Sequence, residues 1–379
     1  MIPKTDFAGR LLAWFDEHGR HDLPWQHPRT PYRVWVSEIM LQQTQVATVI
    51  DYFNRFMLRF PSLDVLATAT VDEVLALWSG LGYYARARNL HAAAQFMARQ
   101  GVPDTLIGWQ ALPGVGPSTA AAIMAQAFEV PETILDGNVK RVMARHAGID
   151  RPIEQALTIQ ALYDVAKLHT PQSRVADYTQ AIMDLGATLC TRHTPNCAAC
   201  PVRVDCVALA SKQVANLPVR RKRKPVPTRR AVFMAFEDDA ECLMLVRRPP
   251  TGIWGGLWCL PEYDYVQDGF ASGSTASDEP AGNGITQQQS LLSSHRLTRH
   301  SPAAPLTMFE HRFTHYVLNA RIDHMEVTRS LSVEDNPDVF WLPLVELGVR
   351  PPQLGLPKPI ARFLSDYPAL KPSQCSCTS

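Results

Sequence analysis

The sequence predicts a two-domain chain, an all-α domain followed by an α+β domain, on three observations. Apolar residues recur at helical spacing up to about residue 210, with almost no strand signal. A basic stretch, Arg220–Lys224, lies between Pro218 and Pro225 and reads as a linker. From Ala231 onward the apolar residues alternate, which is the period of a strand. The expected boundaries are 1–212 for the helical domain, 213–229 for the linker, 230–368 for the second domain and 369–379 for a tail.

Thr30 can cap a helix whose first position is Pro31. Val46, Val49, Ile50, Phe53 and Phe56 mark a second helix, expected to start at Thr44. Further helices are expected near 71–79, 84–100, 117–128, 138–147, 154–169 and 173–189. In the second domain Val232, Met234 and Phe236, then Leu243 and Leu245, read as strands. Residues 266–295, rich in Ser, Gly, Gln and Asp, read as a disordered surface insertion. Strands resume around Phe309–Ile322, and a helix near Pro359–Ser365 closes the domain.

At 379 residues the chain can bury two real cores. It has no apolar run long enough for a membrane span and no leader-like start, so cytoplasmic residence, near the nucleoid, is expected, with no membrane partner and a monomeric state. Half of the eight cysteines fall between Cys190 and Cys206, which reads as metal ligation rather than a disulfide framework. The net charge of +1 hides an asymmetry: residues 1–230 hold 26 Lys+Arg against 19 Asp+Glu, and the remainder 11 against 17. The first part therefore suits a polyanion.

Three features carry chemistry. Cys190, Cys197, Cys200 and Cys206 have the spacing C-x6-C-x2-C-x5-C. Four thiolates can hold zinc or an iron–sulfur cluster, and with only one C-x2-C knuckle in one compact loop the spacing favours a 4Fe–4S cluster. In Leu112–Thr119, Gly114 and Gly116 let the backbone approach an anion, and Pro117 opens a helix whose N-terminal amides favour phosphate, as in half of a helix–hairpin–helix. Glu38 is a charge among apolar helical residues, where burial would raise its pKa and equip it as a general acid. Asp136, in Leu-Asp-Gly-Asn, either only caps the next helix or serves as a second catalytic carboxylate.

Together these residues resemble the helix–hairpin–helix superfamily of iron–sulfur DNA glycosylases, and within it the MutY-type adenine DNA glycosylases. The resemblance rests on Pro31–Val46, Trp78–Leu90, Leu112–Ala121, Ile134–Arg141 and Met183–Cys206. In the second domain it rests on Arg248–Trp258 and Phe309–His315, which are similar to a Nudix-like 8-oxoguanine-reading domain. It implies excision of adenine from double-stranded DNA, opposite 8-oxoguanine or guanine, by base flipping. Glu38 would protonate the base, Asp136 would stabilise the oxocarbenium ion or add to it, and Asn138 would orient the sugar or Asp136. Trp25 would wall the pocket and Gln180 would contact the flipped adenine. Tyr83 would wedge beside 8-oxoguanine and Gln43 would fill the vacated stack. Phe313, Thr314 and His315 would read the lesion, with Thr where the family usually has Ser. Tyr84 reads as packing. The endonuclease III type, a glycosylase and lyase for oxidised pyrimidines, is the alternative; it carries a lysine where this chain has Ser118, so a monofunctional enzyme is expected, with at most weak cleavage by an amine such as Lys140. The second domain lacks the run of glutamates a Nudix hydrolase uses to hold Mg²⁺.

Overall fold

The computed structural model describes residues 6–221, 225–264, 283–330, 336–347 and 354–371. The chain divides into two units, Met1–Ala69 with Ala85–Arg223, and Thr70–Tyr84 with Lys224–Ser379. The second unit thus takes in one segment from far upstream of the linker.

In the first unit the helices Phe7–His18 and Val46–Arg59 bury one stripe, and Pro117–Ala127, Gly137–His146 and Val175–Asp184 are buried on most sides. Thr30 caps the helix Pro31–Leu41 by accepting from the Arg33 amide at 3.3 Å, with Pro31 at the first position as expected. The next helix runs Val46–Arg59 and buries Val49, Phe53 and Phe56. Gln45, not Thr44, stands at its cap, because the Thr44 hydroxyl is held by the Gln42 carbonyl and the Arg86 guanidinium. Helices Pro117–Ala127, Gly137–His146, Ala156–His169 and Val175–Asp184 follow, and the last winds into a π-helical turn, Leu185–Leu189, that delivers Cys190. The helix Phe7–His18 brings Phe7, Leu11 and Phe15 into the same core as Val139, Met143, Leu162, Tyr178 and Ile182.

In the second unit eight strands form one mixed sheet among the described residues: β1 Thr228–Asp238, β2 Cys242–Arg247, β3 Trp258–Cys259, β4 Glu262–Asp264, β5 Leu297–Arg299, β6 Ala304–Arg312, β7 Val317–Arg329 and β8 Val339–Pro343. The order is β3-β2-β1-β7-β5, with β4 on β1, β6 on β7 and β8 on β2; β1 and β7 are parallel, with Phe233 opposite Ile322. From Ala231 to Asp238 both faces of β1 are buried, as befits a central strand. The closing helix is longer than expected, Lys358–Leu370, and buries Ile360, Phe363, Leu364 and Tyr367. Its end is clamped by Glu237, whose carboxylate takes the Tyr367 hydroxyl at 2.6 Å and the Lys371 ammonium at 2.5 Å, with His324 Nε2 at 3.1 Å. These partners outweigh burial and hold the Glu237 carboxyl down at about 2.

The expected disordered insertion needs correction in its second half. Asn283–Ser294 is a helix, and Leu292 joins the buried cluster of Val232, Met234, Phe236 and Met325. Among its described side chains Leu291 and Leu292 pack on that cluster, and the run around them is polar, so composition masks the helix. Residues 265–282, the centre of the linker and the last eight residues lie outside the described residues.

Candidate active site

The glycine turn at Gly114 and Gly116 has the predicted build. Thr105 caps the helix Leu106–Gln110, the chain turns with the Val115 amide on the Leu112 carbonyl at 3.2 Å, and Gly116 with Pro117 opens the next helix. Gly114 has φ of 78°, and a Cβ there would lie 2.9 Å from Asn89 Cβ. Gly114→Ala is therefore expected to cost about 1–3 kcal/mol through strain alone; thermal unfolding measures this, and a parallel loss of DNA affinity would tie the turn to phosphate. Both glycines are exposed. Ser118, half-buried, is engaged: its Oγ accepts the Leu135 amide at 3.1 Å, tying this helix to the Asp136 loop.

Glu38 lies two-thirds of the way along the helix Pro31–Leu41, facing the helix Pro117–Ala127. Gln126 donates from Nε2 to Glu38 Oε1 at 2.9 Å. The Glu38 pKa is raised to about 7, first by burial and then by the negative charge of Asp136; the Gln126 hydrogen bond only partly offsets this. Gln126, 3% exposed, was not singled out from the sequence, although it is the one polar residue in the apolar run Ala120–Ala127.

Asp136 does cap the next helix: its Oδ1 accepts the Val139 amide at 2.7 Å. Its pKa is also raised, chiefly by burial, while the Val139 and Asn138 amides and the Arg141 and Lys140 charges pull it down. Two carboxyls in mutual electrostatic reach share the burden of desolvation unequally. Asp136 has two amides and two cations favouring its charged form, and Glu38 has one neutral amide.

Asn138 Oδ1 accepts from Arg141 Nη2 at 2.8 Å, and the same guanidinium donates to the Gly186 carbonyl at 2.5 Å and the Cys190 carbonyl at 2.7 Å. One turn on, Arg145 donates to the carbonyls of Leu217 at 2.8 Å and Thr191 at 2.7 Å, and to Cys190 Sγ at 3.4 Å. The helix headed by Asp136 thus carries the struts of the cysteine loop. Both arginines are buried, and the sequence shows them only as basic residues of an ordinary helix.

Cys190, Cys197, Cys200 and Cys206 line one cavity with Val142, Leu185, Leu189 and Val202. Among the described residues no three such side chains converge on a single ion; the thiols ring the cavity instead. An apolar cage with four thiols and a guanidinium on one sulfur fits a multi-iron cluster better than one tetrahedral ion. Burial and the neighbouring thiols push the Cys200 thiol up to about 11, so a group bound as thiolates would displace protons.

Other predicted residues fall in several places. Trp25 is buried, edge-on to Phe53 at 5.5 Å. Gln180 is 3% exposed and donates to Asp184 Oδ1 at 2.7 Å; Asp184 also holds Arg20 through its amide at 2.8 Å and its guanidinium. Gln43 is exposed with φ of 59°, beside Gln42, whose amide donates to the Gly114 carbonyl and Thr119 Oγ1, both at 3.3 Å. Lys140 is half-buried and felt electrostatically by Asp136. Tyr83 belongs to the second unit, 45% exposed with φ of 50°. Phe313, Thr314 and His315 form the β6–β7 turn of that unit, closed by the Phe313 amide on the Tyr316 carbonyl at 2.9 Å. Thr314 Oγ1 lies 3.3 Å from His315 Nδ1, and Phe313 packs on Trp254 and Tyr316. The charge asymmetry has a narrow source: residues 1–219 hold 19 Lys+Arg and 19 Asp+Glu, so the whole excess of the first part lies in Arg220–Arg230.

Residues 36–165 match the HhH-GPD superfamily of base excision DNA repair proteins, and residues 231–366 match the NUDIX domain. An adenine DNA glycosylase of Buchnera aphidicola subsp. Acyrthosiphon pisum is 30% identical over 374 residues, covering 97% of this chain and 99% of that protein. The Homo sapiens adenine DNA glycosylase is 36% identical over 315 residues, covering 68% of this chain and 57% of its own length. Among solved structures, a thermostable thymine-DNA glycosylase covers 55% of this chain and 97% of its own, with a TM-score of 0.50 and 26% identity.

Proposed function

The chain belongs to the adenine DNA glycosylases, hydrolases that release adenine from DNA in base excision repair, and we propose that it acts on adenine paired with 8-oxoguanine or guanine, as a monofunctional enzyme with Glu38 and Asp136 as its two carboxylates. The observation that carries this is the pair itself: one carboxyl with its pKa near 7 beside another held by two amides and two cations.

The adenine is flipped from the duplex, with the glycine turn and the helix start at Pro117 holding backbone phosphate. Protonated Glu38 gives its proton to N7. The C1′–N9 bond then breaks, its electron pair leaving with adenine, and positive charge develops on the sugar. Asp136, ionised by its amides and by Arg141 and Lys140, stabilises that charge or adds to it transiently. Water bonds to C1′ and surrenders a proton to the carboxylate of Glu38, which restores the acid. Asn138, fixed by Arg141, keeps Asp136 and the sugar in register. Trp25 and Gln180 wall the adenine pocket. In the second unit Phe313, Thr314 and His315 read 8-oxoguanine while Tyr83 wedges beside it and Gln43 fills the gap in the stack.

Cys190, Cys197, Cys200 and Cys206 would hold a 4Fe–4S cluster, which when bound cross-links the loop mechanically. The enzyme works as a monomer on DNA in the cytoplasm.

Ser118 cannot form an imine, and its Oγ is engaged by Leu135. Borohydride present during the reaction is therefore expected to trap no stoichiometric protein–DNA adduct; trapping at the level of a true lyase would overturn monofunctionality. Substrate choice is tested by scoring free base from duplexes holding adenine opposite 8-oxoguanine, guanine or thymine, and from duplexes holding oxidised pyrimidines. Adenine should appear fastest opposite 8-oxoguanine; faster release of the pyrimidines would favour the endonuclease III alternative.

A further inference from the structure

The loop that carries Tyr83 is strained. Gly80, Gly82 and Tyr83 have φ of 93°, 77° and 50°. Glycine tolerates this region freely, but a tyrosine stays there only where its surroundings over-determine the backbone. Several of those contacts lie within the second unit. The fully buried Trp78 donates from its indole to the Gly82 carbonyl at 3.2 Å. The Tyr84 hydroxyl accepts the Gly80 amide at 3.2 Å and donates to the Leu356 carbonyl at 3.2 Å. Ser79 Oγ donates to that same carbonyl at 3.1 Å.

The approach on the other side is equally close. A Cβ on Gly355 would stand 2.7 Å from Leu75 Cβ and 3.1 Å from Leu257 Cδ2. The Gly355 carbonyl accepts the Trp258 amide at 2.9 Å, so this contact is anchored to β3. At the start of the helix Val71–Trp78, Asp72 accepts both terminal nitrogens of Arg247, at 3.0 and 2.6 Å. The Arg247 guanidinium also lies 4.7 Å over the Trp258 ring. A partly exposed ion pair contributes little stability by itself, but a bidentate, stacked guanidinium fixes orientation.

We propose that Asp72, Tyr84, Arg247 and Gly355 form a brace through which the second unit positions Tyr83, so that preference for 8-oxoguanine over guanine depends on the rigidity of this loop as well as on the Phe313–His315 turn. The proposal rests on the wedge role given to Tyr83 above. The four residues are positioning residues: they act through Tyr83 and need not touch DNA.

The test is single-turnover adenine release by the full-length, cluster-loaded protein on two duplexes, adenine opposite 8-oxoguanine and opposite guanine. The ratio of the two rates is followed for Arg247→Met, Asp72→Asn and Tyr84→Phe, alone and combined with Tyr83→Ala. Tyr84→Phe removes one hydroxyl and keeps the core filled, so it remains informative where a larger change unfolds the loop. Each brace variant is expected to lower the ratio by about fivefold, Asp72→Asn with Arg247→Met no more than either alone, and none further once Tyr83 is alanine. An unchanged ratio in the brace variants, with a lowered one in Tyr83→Ala, overturns the brace and leaves the wedge standing. An unchanged ratio in Tyr83→Ala removes both. Brace variants that lower the ratio equally in the Tyr83→Ala background act by another route, which also overturns the proposal.

Discussion

Glu38→Gln is expected to lower single-turnover adenine release by about a thousandfold, the scale of a positioned general acid. Glutamine is nearly isosteric and can still bond Gln126, so the loss would be one of proton donation and not of shape. Wild-type activity should fall as pH rises through about 7, where Glu38 loses its proton, and this alkaline limb should be absent from the residual activity of the variant. The stability of the wild type should fall over the same range. A carboxyl raised from 4.5 to about 7 contributes a stability that is complete below 4.5 and lost as pH rises through about 7. The full difference is about 3 kcal/mol. Glu38→Gln should therefore be more resistant to thermal unfolding than wild type at pH 8, with the gain shrinking towards pH 4. An active variant, or one no more stable at pH 8 than wild type, would show that Glu38 is an ordinary solvated carboxylate.

Asp136→Asn separates the two readings of that residue. Asparagine caps a helix about as well as aspartate, so the Val139 amide keeps its partner and the fold should change by only a few tenths of a kcal/mol. The charge that faces the developing cation is lost, and excision is expected to fall by at least about a hundredfold. Asp136→Ala should add a capping loss of about 1 kcal/mol on top of the same catalytic defect. An Asn variant with near wild-type rate would leave Asp136 as a cap and nothing more; thermal unfolding and single-turnover rates on the same preparations decide between them.

The elements themselves were largely legible. Thr30 with Pro31, and Gly116 with Pro117, mark their helix starts in local chemistry, and the structure places both as expected. Thr44 misled because its hydroxyl serves a distant arginine, which no local pattern reveals. The helix Asn283–Ser294 was hidden because its Ser- and Gln-rich composition gives little sign of the packing of Leu291 and Leu292. At the site, residue types at motif spacing picked out Glu38, Asp136 and the cysteines. What the sequence could not supply was burial. Arg141 and Arg145 look like surface charge and are the buried struts between the helix Gly137–His146 and the cysteine loop, Arg141 also holding Asn138. Gln126 looks like one amide in an alanine-rich helix and is the hydrogen-bond partner of Glu38. Tyr84 reads as packing and is that, at 8% exposure, but its hydroxyl also joins two backbone segments far apart in sequence. The charge excess of residues 1–230 suggested a polyanion partner for the first part, yet it lies in Arg220–Arg230, beyond the helices; the turn at Gly114 and Gly116 is exposed.

The most direct test of the two-carboxylate mechanism is a single-turnover reaction on a duplex with one adenine opposite 8-oxoguanine, with each time point divided and half treated with alkali. Wild type should yield strand breaks only in the alkali-treated half, and Glu38→Gln and Asp136→Asn should yield almost none in either. Breaks without alkali, or wild-type rates in either variant, would contradict it.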